Sequence, residues 1–120
     1  LNGVLVKASD HPAVYVVNNG LRQLVSYFVF LQRFKNSQLA VLSREELERF
    51  PANASGFLYP PFDGTVFRSD SSATVYLIQG GKKHAVNLNA FVSRGYNFDA
   101  VRILSQSEID GYERGEDIVE

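Results

Sequence analysis

The chain has 120 residues, of which 45% are hydrophobic and 21% charged, and a formal net charge of −1. That is enough apolar content to build a packed core at single-domain size, and the charge balance offers no basic stripe of the kind that nucleic acid or an anionic membrane requires. The absence of cysteine excludes disulfides, thiolate metal sites and cysteine nucleophiles together.

Charge is not spread evenly. Residues 1–57 carry six Lys/Arg against four Asp/Glu, whereas residues 58–120 carry six against nine. Much of the acidic excess lies in the closing stretch DGYERGEDIVE, which reads as a solvated terminus. With no methionine anywhere, position 1 included, the sequence predicts a fragment or a processed product. The longest apolar run, Tyr27 to Leu31, falls far short of the ~20 residues that a membrane-spanning helix needs, so no membrane insertion is expected.

In chain order, GVLVK predicts a first strand, followed by a turn rich in Ser, Asp and Pro. AVYVVNNGLRQLV then reads as a β-hairpin, because Asn19-Gly20 tolerates the positive φ that a two-residue type I′ turn demands. A turn of that length sets Tyr15 opposite Leu24. Ser26 is a candidate N-cap for a helix over YFVFLQRF. LAVLS predicts another strand, closed by Ser43-x-x-Glu46, a capping box in which hydroxyl and carboxylate satisfy each other's orphan N–H groups at the start of a helix. That helix, REELERF, is expected to be about two turns long. PANASGFLYPPFDG holds three of the four prolines and is read as a linker over about 51–63, with Phe57, Tyr59 and Phe62 packing it against the body.

The chain then repeats itself. Tyr15 aligns with Tyr76, Gly20 with Gly81, Arg22 with Lys83 and Phe30 with Phe91 at an offset of 61; after one inserted residue, Phe34 aligns with Tyr96, Ser43 with Ser105 and Glu46 with Glu108 at an offset of 62. The second copy therefore predicts the same elements: GTVFR, a hairpin turning at Gly80-Gly81 with Tyr76 opposite Ala85, Asn87 capping LNAFVSRGY, VRILS, and QSEIDGY. The expected fold class is α+β, with repeat 1 at 1–57 and repeat 2 at 58–120. Each copy is too small to bury much surface alone, typically ~60% of what its unfolded chain exposes, so the copies are expected to pack into one compact domain. The first helix of repeat 1 is apolar nearly all round, and Phe28 or Leu31 is expected to face the other repeat or a neighbour.

Chemistry-bearing motifs are scarce. His11 and His84 sit at non-equivalent repeat positions without metal-ligand spacing. Glu45, Glu46 and Glu48 crowd a helix start, where they favour the macrodipole. GxSxG, GxGxxG and GxxxxGK[ST] are all absent, and Ser69-Asp70-Ser71-Ser72 lacks the calcium-loop pattern. No catalytic residue, metal site or cofactor is expected. What remains is the basic end of each hairpin. One reading makes Tyr15, Arg22, Tyr76, Lys82, Lys83 and His84 a pair of related ligand sites, with cations meeting an anionic polymer and tyrosines stacking on sugar faces. The other makes the cations solvent-facing residues that discourage edge pairing, and the tyrosines core.

VYVVNNGLRQLV with LAVLSREELERF, and VYLIQGGKKHAV with FVSRGYNFDAVRILSQSEIDGY, resemble a tandem repeat of secreted and surface-exposed bacterial proteins, whether envelope, surface-layer-like or cell-wall-associated. Repeat 1 departs from that pattern in having Leu-Arg-Gln at the basic run and no Gly before Phe34. The resemblance implies an extracellular or cell-surface bacterial location and no catalytic activity. It also implies partners that are cell-wall or surface polysaccharide, or other domains of the same surface protein, and not nucleic acid. The expected function is a non-catalytic module for attachment or assembly at the cell surface; the alternative is a carbohydrate- or peptidoglycan-binding module that targets a neighbouring enzyme.

Overall fold

The structure, a computed structural model, describes residues 3–119 and is an α+β fold in two similar units, Leu1–Tyr59 and Pro60–Glu120. The first contains β1 (Val4–Ala8), β2 (Val14–Asn18), β3 (Leu21–Val25), α1 (Tyr27–Arg33), β4 (Leu39–Leu42) and α2 (Arg44–Glu48). The second contains β5 (Val66–Arg68), β6 (Val75–Gln79), β7 (Lys82–Val86), α3 (Leu88–Ser93), a 3-10 turn at Phe98–Ala100, β8 (Arg102–Ile103) and α4 (Gln106–Asp110).

Each unit is built on a four-stranded sheet, ordered β3-β2-β1-β4 in one and β7-β6-β5-β8 in the other. The hairpins have the register expected from two-residue turns, with Tyr15 opposite Leu24 and Tyr76 opposite Ala85. Asn19 and Gly20 have φ of 53° and 77°, and Gly80 and Gly81 of 63° and 75°, as the type I′ turn requires. The last strand of each unit pairs in parallel with the first, a connection that needs a crossover, and α1 or α3 supplies it.

The period-2 alternation of the strands places one helix on each face of the sheet. In the first unit Val6, Ala8 and Val17 pack with Leu47 of α2, joined by Tyr15, Leu42 and Phe50. The opposite face buries Leu5, Val16, Val25 and Val29. In the second unit Val66, Leu77 and Val86 pack with Ala90 and Phe91 of α3. On its other face Phe67 meets Tyr76 and Tyr112 at ring-centre distances of 5.9 and 5.7 Å.

The predicted caps form. Ser26, Ser43, Asn87 and Ser105 each accept from the backbone N–H three residues on; Ser43 and Glu46 complete the reciprocal capping box, whereas Glu108, expected to do the same with Ser105, accepts from the Tyr112 hydroxyl. α2 and α4 are only five residues each, shorter than the two turns expected.

The Pro-rich stretch is divided between the units and bonded into both. Arg22 N–H donates to Pro51 O, Asn53 N–H to Arg22 O, and Tyr59 N–H to Leu24 O, so this stretch runs along the outer edge of β3 as a parallel strap. The second unit does the same with its own tail: Lys83 N–H donates to Glu113 O, Gly115 N–H to Lys83 O and Ile118 N–H to Ala85 O. Covering the outer hairpin strand in this way occupies backbone groups that would otherwise template edge pairing. Pro61 is buried in the second unit, and Asp63 accepts from the N–H groups of Gly80 and Gly81.

Candidate functional site

The residues expected to meet a ligand are brought together, but each is engaged by the chain's own closing segments. In the second unit Lys83 is only 6% exposed and its Nζ donates to Ile109 O at the end of α4. The ammonium lies 5.6 Å from the centre of the Tyr76 ring, and the Arg114 guanidinium lies 5.7 Å from the same ring. Burial pushes the Lys83 ammonium below its ordinary range, with Arg114 acting in the same sense and Asp110 opposing it. Lys82 pairs with Glu113 at 3.3 Å. His84 Nδ1 faces Glu116 O at 2.7 Å and its Nε2 faces Gln79 O at 3.0 Å. Carbonyl oxygens only accept, so the ring donates to both only when doubly protonated.

The first unit repeats the device with different side chains. Arg22 donates through one guanidinium nitrogen to Leu47 O and Phe50 O, at 3.2 and 2.7 Å, and lies 5.3 Å from the Tyr15 ring centre. Gln23, the counterpart of His84, donates to Phe57 O at 3.1 Å. Each hairpin thus places a cation under the carbonyl end of the short second helix, where the helix dipole favours positive charge, and an amide or imidazole on the strap. Lys83 is therefore not the solvent-facing cation that strand patterning suggests. Its stem lies in the core and its charge meets a helix terminus, an arrangement that alternation alone does not reveal. Tyr15 and Tyr76 are half-buried beneath these cations.

Tyr15 lines a small hollow with Arg44 and Leu47, and two wider grooves lie elsewhere, at equivalent places of the two units. In the first unit a groove of about 620 Å³ is lined by apolar groups including Pro12, Tyr27, Phe30 and Leu39, with Lys7 at its edge. At the equivalent place in the second unit a groove of about 590 Å³ is lined by Arg68, Asp70, Ser71, Ser72, Phe98 and Val101, among others. Lys7 and Leu39 correspond to Arg68 and Val101 in the repeat alignment. Phe98 does not figure among the sequence candidates; the available signal was the one-residue insertion just before it, at the end of α3.

Among the described residues no group of three or more His, Asp or Glu side chains is placed to hold a metal ion, and no helix is long and apolar enough to cross a membrane. No family model matches the sequence, and no curated protein matches it at a significant level.

Proposed function

We propose that this chain is a non-catalytic module of an extracellular bacterial protein that mediates attachment or assembly at the cell surface. The observation that carries the reading is a duplicated apolar surface. On α1, Tyr27 and Leu31 stand one turn apart and exposed, Tyr27 at 77%; on α3 the same repeat positions, Leu88 and Val92, are exposed too, Leu88 at 65%. Val41 and Ile103, equivalent residues of the last strand in each unit, are also exposed. A single exposed apolar residue is ordinary, but the same three positions left uncovered in both copies favour a surface used twice. The open, paired grooves support the same reading, since repetition builds contact area whereas an active site usually needs one asymmetric pocket. The resemblance of the repeats to those of bacterial surface proteins adds the location.

The test is retention of the purified chain on isolated bacterial cell wall and on a panel of insoluble polysaccharides, at low and moderate salt. Salt-resistant retention that falls when Tyr27, Leu31, Leu88 and Val92 are changed to Ser supports the reading. Absence of retention on every surface, with the chain monomeric throughout, sinks it. The alternative, a carbohydrate-binding module that targets a neighbouring enzyme, is favoured by one observation: the second groove combines an exposed aromatic ring, Phe98, with the polar groups of Asp70, Ser71 and Ser72, whereas the first, which holds the exposed Tyr27, is lined mostly by apolar groups.

A further inference from the structure

We infer that the groove of the second unit, between the Ser69–Ser72 loop and Phe98, is a binding site for a pyranose ring of a neutral polysaccharide. The inference rests on the surface-attachment reading and names its ligand.

The two copies provide an internal comparison. In the first unit the groove is lined by Phe30 and by the exposed Tyr27, and the chain after α1 carries Asn36. In the second, the insertion ends α3 at Gly95, which takes φ of 76°, and the following 3-10 turn places Phe98 at the position of Asn36. Phe98 packs on Phe91, the counterpart of Phe30, at a ring-centre distance of 4.5 Å. Phe91 is thereby buried and Phe98 is left 58% exposed as the new wall. Phe91 and the cap from Asn97 to the Asp99 N–H hold the ring in place, so little side-chain entropy is left to lose on binding.

The polar part of the lining is held in place. The Arg68 guanidinium donates to Ser69 O and Ser72 O at 2.9 and 3.4 Å, Ser69 and Ser71 share a hydroxyl contact of 3.2 Å, and Ser72 Oγ accepts from Thr74 N–H. Asp70 and Ser72 are exposed at the groove. An ionised carboxylate is an acceptor that rewards hydroxyl donors with charge-assisted hydrogen bonds, and it repels anions. The Arg68 charge is turned onto its own loop, and residues 58–120 carry six Lys/Arg against nine Asp/Glu. An apolar ring that shares one groove with a carboxylate and hydroxyls, in a volume within the size range of ligand sites, matches a sugar with an apolar C–H face and a hydroxyl rim. The anionic polymer expected at the hairpin ends does not fit here.

The probes are cellohexaose and the hexamer of β-1,4-linked N-acetylglucosamine, titrated into the whole chain while backbone amide shifts are followed. The expected result is saturable, salt-insensitive movement of the amides of Asp70 to Ala73 and of Phe98 to Val101 with one of the two. Phe98→Ala should weaken it about tenfold, the loss of one aromatic stack, Asp70→Asn should weaken it too, and Phe98→Trp should restore it. Glu48→Ala, at an exposed position of the other unit, should leave it unchanged. No movement with either sugar, or movement confined to other residues, overturns the inference. So does wild-type affinity in Phe98→Ala with its amide spectrum otherwise preserved. If the chain is still retained on cell wall in those cases, the site alone is wrong; if it is not, the surface-attachment reading falls with it.

Discussion

The Lys83 ammonium and the Ile109 carbonyl oxygen, 26 residues apart in the chain, meet at 2.5 Å inside the second unit. Arg22 makes the corresponding reach of 25 and 28 residues to Leu47 and Phe50. These two cations tie each hairpin to the short helix that closes its copy, which explains why the equivalent position is basic in both.

Lys83→Ala is expected to lower the unfolding free energy by about 2 kcal/mol, through lost stem packing and a lost charge-assisted bond. Lys83→Met, which keeps the stem, should cost less. The two should also differ from wild type in pH dependence. Because burial depresses Lys83 in the folded state, the unfolded chain binds the extra proton between the folded value and the ordinary 10.5, so this contribution to stability rises with pH across that window. Denaturant unfolding from neutral pH to 10.5 should show wild type gaining on Lys83→Met. A flat or falling difference would contradict the assignment.

Arg22→Lys should be tolerated within about 1 kcal/mol, since Lys fills this role in the other copy and the buried Arg22 Nε has no hydrogen-bond partner to lose. Arg22→Ala should cost about 2 kcal/mol, because Phe50 O loses the guanidinium donor and Leu47 O keeps only backbone N–H groups. Thermal unfolding of the two variants decides; equal losses would mean that Lys cannot take over the guanidinium's bonds and that the stem it retains adds little.

A Cβ at Gly115 would overlap the His84 ring. Gly115→Ala should therefore lift the strap from β7, and the amides of Gly115 and Ile118, which donate to Lys83 O and Ala85 O, should exchange with solvent faster. Adding His84→Ala removes the overlap and should restore part of the protection. Protection unchanged in Gly115→Ala would show that the ring moves aside without cost.

Ser43→Ala removes the capping hydroxyl and should cost about 1 kcal/mol. The hydrogen bonds from Ser43 hold the Glu46 carboxyl below its ordinary value. Its contribution is therefore present above the unfolded value of 4.5 and is lost as pH falls through the folded one. Acid titration of stability should show wild type and Glu46→Gln converging as the pH drops, and parallel curves would argue against the reciprocal box.

Changing Tyr27 and Leu31 together to Ser should leave stability within about 0.5 kcal/mol, because both are exposed, while weakening attachment to the surface retained by wild type. A large loss of stability would mean that the pair is covered by protein.

The sequence by itself determined what is local. Two-residue positive-φ turns fix hairpin register, so Tyr15 opposite Leu24 and Tyr76 opposite Ala85 followed from Asn19-Gly20 and Gly80-Gly81 alone. The caps at Ser26, Ser43, Asn87 and Ser105 bond within three residues and were equally legible, as was the duplication. Only the tertiary structure decided the rest, because each remaining feature joins residues far apart in the chain. Parallel pairing of the first and last strands depends on a crossover, which no turn residue specifies. Burial of Lys83 depends on a helix end brought to it from elsewhere in the chain. The strap over β3 was hidden in a Pro-rich stretch whose composition resembles a linker whether or not its backbone finds an edge to bond. The groove at Phe98 was hidden for a related reason: an inserted residue shows in an alignment, but which side chain it pushes into solvent depends on what the neighbouring ring, here Phe91, already fills.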